Sequence, residues 1–196
     1  MTARLRVGVL ALQGDVREHV RVLTALGADV VPVRRPDELA AVEGIILPGG
    51  ESSVIDKLAR AFGMQQPLRD AIAGGLPVYG TCAGMILLAD EITGGIAGQE
   101  TFGGLDVRVA RNAFGSQGDS FETELAVEGF DRPVQAAFIR APLVERVGER
   151  ARAIASLADG RVVAVEQGPL LATAFHPEVT GETRFHERFL AHVRNR

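Results

Sequence analysis

Three short stretches of this 196-residue chain gather residue types that carry out covalent chemistry. The stretch PVYGTCAGMILL, Pro77 to Leu88, holds the only cysteine, Cys82, between Gly80 and Gly84. One apolar run enters the Gly-Thr-Cys-Ala-Gly turn and another leaves it, which is the form of a nucleophile elbow with Cys in place of Ser. Small neighbours let such a turn take a strained path that projects the nucleophile from the end of a sheet. The N–H groups opening the next helix favour thiolate and offer donors to an oxyanion. Free cysteine is also among the most buried residue types, so the turn alone leaves open a Cys82 that only fills space.

A thiolate nucleophile needs a base. His176 ends the apolar run LLATAF and is followed by Pro177 and Glu178. The proline stops the strand, and His176 and Glu178, two apart in extended chain, point the same way, so the carboxylate can fix the tautomer and steady the imidazolium. His19 in the first helical pattern, and His186 and His192 in the last, read as solvated helix residues. The third stretch is LPGGESS, Leu47 to Ser53, again a strand entering a Gly-rich turn and a helix. It lacks the lysine of GxxxxGK[ST], and VLALQGD lacks GxGxxG, so nucleotide binding is not expected. Backbone N–H groups of Gly49 and Gly50 can instead complete an oxyanion hole beside the elbow, because neighbouring parallel strands end at one edge. Arg111 and Arg140, taken without context, read as surface strand arginines.

The elements that must position these groups alternate. RLRVGVLAL is a strand buried on both faces, and Asp15 is expected to cap a helix with Glu18, its stripe being Val16, Val20, Leu23 and Leu26, closed by Gly27. ADVVPV, GIILPGG and LPVYG repeat the strand signal; SSVIDKLARAF, PLRDAIAGG and CAGMILLADEI repeat the helix signal. Such alternation implies a parallel sheet with helices on both faces and a site at the carboxyl edge. After Gly94, LDVRVARNAF, FETELAVEG, VQAAFIRAP, RAIASLA, RVVAVEQ and LLATAFHPE read as strands of an antiparallel extension, and GETRFHERFLAHVRNR as a final helix with Phe185, Phe189 and Val193 on one stripe. The Gly-rich stretch Thr93 to Gly104 carries no clear signal.

Hydrophobic residues make up 46%, with no Trp and one Tyr, so an aliphatic core and a single domain over residues 1–196 are expected. A net charge of −4 with no basic face argues against a nucleic-acid partner. No basic leader with an apolar stretch and no bilayer-length apolar run is written, so no signal peptide, no membrane and a cytoplasmic location are expected.

In chain order, PGGES, G-x-C-x-G and HPE resemble the class I (triad) glutamine amidotransferases. The resemblance is closer to the glutaminase subunits of the two-component pyridoxal 5′-phosphate synthase. It is carried also by LALQGDVREH (Leu10 to His19), RNAFGSQGDSFE (Arg111 to Glu122) and FIRAP (Phe138 to Pro142). It implies an α/β fold of three layers, flavodoxin-like, with a mostly parallel central sheet, helices on both faces and an antiparallel extension. It implies that Cys82 attacks the side-chain amide of L-glutamine, that His176 moves the proton, and that Glu178 orients His176. Gly50 and Ala83 would supply the oxyanion hole. Gly50, Glu51, Ser52, Arg111, Ile139 and Arg140 would hold glutamine, a guanidinium pairing the α-carboxylate and Glu51 or carbonyls taking the α-ammonium. The implied partner is a barrel-shaped synthase subunit that uses the ammonia to make pyridoxal 5′-phosphate, with Gln13 coupling docking to activity. No cofactor and no metal are expected.

Three rivals use the same residues: a glutaminase feeding another acceptor, a cysteine hydrolase or peptidase on the same sheet, and a non-catalytic regulatory subunit. Partner exchange separates the first, substrate comparison the second, and the retention of Cys82, His176 and Glu178 together argues against the third.

Overall fold

The computed structural model describes residues 4–111 and 120–196. The chain runs β1 (Arg6–Leu10), α1 (Val16–Ala25), β2 (Asp29–Val33), α2 (Pro36–Ala40), β3 (Gly44–Leu47), α3 (Ser52–Ala61), α4 (Gln65–Ala73), β4 (Val78–Thr81) and α5 (Ala83–Leu88). It continues through β5 (Ala89–Thr93), β6 (Leu105–Ala110), β7 (Phe121–Leu125), β8 (Val134–Phe138), β9 (Leu143–Val147), β10 (Arg152–Ser156), β11 (Val162–Gln167) and β12 (Leu170–Thr173), then α6 (Pro177–Thr180) and α7 (Arg184–Arg194).

Ten of these strands make one sheet in the order β2-β1-β3-β4-β12-β11-β9-β6-β5, with β10 on β11, while β7 and β8 pair separately. Every neighbour from β2 to β12 is parallel. The runs GIIL, VYGT and LLAT are buried at every position, the pattern of strands covered on both faces. The faces can be read from β4, since successive strand residues point to opposite sides. Tyr79 lies against Phe185 and Phe189 of α7, whereas Gly80 faces α5, where a Cβ would come within 2.6 Å of the Gly84 carbonyl. Helices therefore cover both faces, as the alternation implied. Tyr79, Phe175, Phe185 and Phe189 are fully buried, each contributing about 1.5–3 kcal/mol relative to an exposed ring.

Several expectations need correction. LLAT was expected in the antiparallel extension, yet β12 is the fifth parallel strand, in register Thr173 against Thr81 of β4. CAGMILLADEI is not all helix: Ala89 turns to extended backbone, and ADEIT becomes β5 because it pairs with β6. LVERV forms β9, which joins β6 to β11, and Pro36–Ala40 forms a short helix; neither was anticipated. Asp15 occupies the N-cap of α1, but its side chain makes no cap hydrogen bond. Among the described residues no helix is long and apolar enough to cross a membrane.

Candidate active site

Cys82 follows the last residue of β4 and precedes α5, with φ 49° and ψ −102°, a left-handed excursion that a residue with a Cβ adopts only at a cost. Its backbone is fixed on both sides. Its N–H donates to Thr173 O at 2.8 Å, and its carbonyl accepts from Met85 N–H at 3.0 Å. The glycine two residues on is required by approach: a Cβ on Gly84 would lie 2.0 Å from Leu47 O. The sequence thus folds here into the strained elbow that its small residues implied.

His176 reaches Cys82 because β12 and β4 leave the sheet side by side at one edge. Its N–H donates to Ala137 O of β8 at 3.1 Å, and Pro177 opens α6 directly after it. His176 Nδ1 lies 2.8 Å from Glu178 Oε1. The expected pairing is present, but its cause differs: Glu178 lies in the first turn of α6 and curls back to the ring, rather than sharing a face of extended chain. Asp15 Oδ2 stands 3.5 Å from the same nitrogen, which is where the carboxylate that leaves the α1 cap uncapped has gone. These three side chains lie within 4.8 Å of one another, a closeness that contacts to His176 account for without a cation. Burial lowers the pKa of His176, but hydrogen bonds that its ring donates to Cys82 and Glu178, with their charges, outweigh it and raise it to about 10.

A cavity of about 350 Å³ opens over Cys82 and His176. The sequence-predicted residues line it except Gly49 and buried Glu178: Gln13, Gly50, Glu51 and Ser52 from the turns after β1 and β3, Ala83 from α5, Arg111 after β6, and Ile139 and Arg140 after β8. Arg140, like Cys82, has positive φ, at 45°. Gln13 Oε1 accepts from Glu51 N–H at 2.8 Å, tying the two turns together. Gly49 O accepts from Asp15 N–H at 3.0 Å; in a trans peptide the Gly50 N–H then points the opposite way. Gly50 has φ 148°, and a Cβ there would strike Gln13.

Arg111 and Glu51 do not stand apart, each awaiting one end of a glutamine. Arg111 donates to Glu51 Oε1 at 2.5 Å and to Gln99 Oε1 at 2.7 Å, and Gln99 donates in turn to Ser52 Oγ at 3.0 Å. The Gly-rich stretch without a clear signal therefore supplies Gln99, which braces Arg111 and Ser52. Residues 112–119, which carry most of the RNAFGSQGDSFE block, lie outside the described residues.

A larger correction concerns the other histidines. His19 and His186 are fully buried, not solvated. His19 Nδ1 meets His186 Nε2 at 2.9 Å, and His19 Nε2 meets Thr81 Oγ1 at 3.1 Å. Tyr79 hydroxyl and Thr173 Oγ1 are paired nearby at 3.2 Å, and Thr173 also donates to Phe175 O at 3.1 Å. Burial lowers His19 well below the usual histidine value, with His186 and His176 charges acting the same way. Burial brings His186 down to about 4, partly opposed by Glu182. A signal existed: His19 keeps helical spacing with Val16 and Leu23, and His186 with Phe189 and Leu190, which puts both on the apolar stripe. His192 is partly exposed and contacts Glu166 Oε1 at 2.9 Å.

The whole chain aligns with known proteins. It is 66% identical over 197 residues, covering 100% of both chains, to the pyridoxal 5′-phosphate synthase subunit PdxT of Leifsonia xyli subsp. xyli. It is 57% identical to the subunit of the same name from Streptomyces coelicolor, over 96% of this chain and 93% of that one. A crystal structure of a glutamine amidotransferase matches with TM-score 0.89 at 46% identity, over 95% of this chain and 98% of the other. A putative GMP synthase subunit from Thermoplasma acidophilum, at 19% identity and TM-score 0.72, shares the fold. The glutamine amidotransferase family model SNO matches residues 9–195, and with relatives of such identity along its full length, this chain belongs to the SNO glutamine amidotransferase family.

Proposed function

We propose that residues 1–196 act as one glutaminase domain that hydrolyses L-glutamine to L-glutamate and ammonia and passes the ammonia to a pyridoxal 5′-phosphate synthase subunit in the cytoplasm. The observation that carries the reading is the line Cys82, His176, Glu178 under one cavity, with Cys82 on a strained elbow and His176 held by Glu178 at 2.8 Å. With the thiol proton passed to His176, whose protonated form the raised pKa favours, Cys82 Sγ attacks the amide carbon. The tetrahedral oxyanion accepts hydrogen bonds from Gly50 N–H and Ala83 N–H. Collapse breaks the C–N bond, His176 returns its proton to the departing nitrogen, and ammonia leaves a thioester on Cys82. Water, deprotonated by His176, then attacks the thioester, the C–S bond breaks to release glutamate, and the proton is shared again between His176 and the freed sulfur, so that one hard amide cleavage becomes two easier steps. Glu178 keeps the Nδ1 proton facing it and steadies the imidazolium.

Glutamine fits between a guanidinium for its α-carboxylate, from Arg111 or Arg140, and acceptors for its α-ammonium, with Ser52 and Ile139 at the walls. The Arg111–Glu51 pair is exchanged for contacts to the two ends of the substrate as it enters, a swap of charge partners at little net cost. Free ammonia in neutral water is protonated and lost as a nucleophile, so the product is useful only to a docked acceptor. Gln13, which grips the Glu51 N–H beside the oxyanion donor, couples docking to activity in this reading. Partner-stimulated turnover unchanged in Gln13→Ala would remove that role.

The test is glutamate formation from glutamine by the chain alone and with the synthase subunit added. Strong stimulation by that subunit supports both chemistry and acceptor. Turnover indifferent to it keeps the glutaminase and removes the acceptor, and activity confined to peptides or esters overturns the reading.

A further inference from the structure

Behind the catalytic line lies a second line of polar groups with no water-facing end. Glu178 is wholly buried, and its Oε2 finds no hydrogen-bond partner among the described residues. Its Oε1 is flanked by two imidazoles, His176 Nδ1 at 2.8 Å and His19 Nε2 at 3.7 Å. His19 Nε2 also lies 3.1 Å from Thr81 Oγ1, on the residue that precedes Cys82. Its other nitrogen meets His186 Nε2 at 2.9 Å, and His186 Nδ1 has no partner among the described residues. The groups facing His19 are therefore His186 from α7, Tyr79 and Thr81 from β4, and His176 and Glu178 around α6.

The tautomers follow from two independent arguments. An orphaned buried N–H is rarer and dearer than an acceptor left unfilled, so His186 Nδ1 carries the lone pair and its Nε2–H donates to His19 Nδ1. A neutral His19 then carries its single proton on Nε2. The electrostatics agree, because a lone pair at Nε2 would face the Glu178 carboxylate, whereas an N–H there is attracted to it.

Resting on the triad reading above, we propose that His19 is a positioning residue of this glutaminase: its Nε2–H, set by His186, holds the Thr81 hydroxyl under the nucleophile elbow and faces the same Glu178 oxygen that orients His176. One imidazole N–H thus hydrogen-bonds the residue before Cys82 at 3.1 Å while standing 3.7 Å from the carboxylate behind His176. Outer hydrogen bonds of this kind hold reacting groups to fractions of an ångström. His19 touches neither substrate nor the reacting atoms, so its removal changes turnover rather than substrate binding.

The experiment is steady-state glutamine hydrolysis with the synthase subunit present, together with the pH dependence of Cys82 alkylation by iodoacetamide. His19→Leu is expected to lower kcat roughly 10- to 100-fold, as loss of an outer-layer partner does, with KM within about twofold and an altered alkylation profile. His19→Gln, whose amide nitrogen reaches the place of Nε2, is expected to restore most of kcat, and His19→Asn, whose amide reaches only the place of Nδ1, is not. A folded His19→Leu protein with wild-type kcat and alkylation profile would overturn the inference. If that variant does not fold, the Gln and Asn variants decide: equal kcat, or the reverse order, overturns it. Wild-type protein that leaves glutamine intact would overturn the triad reading itself, a separate result from an active wild type indifferent to His19.

Discussion

Replacing Cys82 by glycine is expected to give a more stable protein than replacing it by alanine, the reverse of the usual order. Both variants lose the thiol and its interaction with His176, so they differ by one Cβ. At φ 49° and ψ −102° a residue bearing a Cβ carries strain of about 1–3 kcal/mol. Glycine removes that strain and gives back about 0.4–1 kcal/mol through the entropy of the unfolded chain. The difference leaves Cys82→Gly ahead by about 1 kcal/mol, or about 2–4 °C in Tm for a domain of this size. Differential scanning calorimetry reads the shift, and urea unfolding checks it at 25 °C. The neighbouring Ala83→Gly serves as the control, since in the first turn of α5 it is expected to lose stability in the ordinary direction. A Cys82→Ala protein as stable as Cys82→Gly, or more so, would refute the claim that the elbow stores strain to present its nucleophile.

Cys82→Ala is expected to abolish glutaminase turnover, and His176→Asn to cost almost as much because members of such a unit fail together; the synthase subunit supplied with ammonium salt still works in both cases. Arg111→Lys, which cannot reproduce the bidentate fork, is expected to raise KM for glutamine about tenfold with little change in kcat, read from initial rates. Stability is expected to fall in acid: an unfolded His186 takes up a proton near pH 6.5 while the folded one stays neutral to about 4, so the unfolded state binds more protons in that window and about 3 kcal/mol is lost across it. His186→Phe is expected to flatten this limb in urea titrations at stepped pH. His176 acts in the opposite window, its contribution being full below pH 6.5 and lost as pH rises through about 10.

The grouping of Cys82, His176 and Glu178, the proposed triad, was legible because such chemistry constrains local sequence. A cysteine on such an elbow needs glycine where a Cβ would strike Leu47 O, and a base needs a carboxylate close by in sequence, so Gly80, Cys82 and Gly84 taken together with His176 and Glu178 stand out by type and spacing. The alternation of buried runs with helical stripes likewise sufficed for a parallel sheet with helices on both faces. What spacing could not reveal was pairing across long separations. Only the tertiary structure put LLAT beside VYGT, over ninety positions away in sequence, because an isolated apolar run carries no record of which edge it will join. That pairing is what brings His176 to Cys82. The same holds for Gln99, recruited by Arg111 and Ser52 from a stretch with no periodicity, and for His19 and His186, whose polar rings are buried only because α1 and α7 meet over Tyr79 and satisfy one another there. Residue type and local spacing determined which groups can react, and the packing of distant segments decided which of them meet and in what state of protonation, since burial and hydrogen-bond partners exist only once the chain has folded.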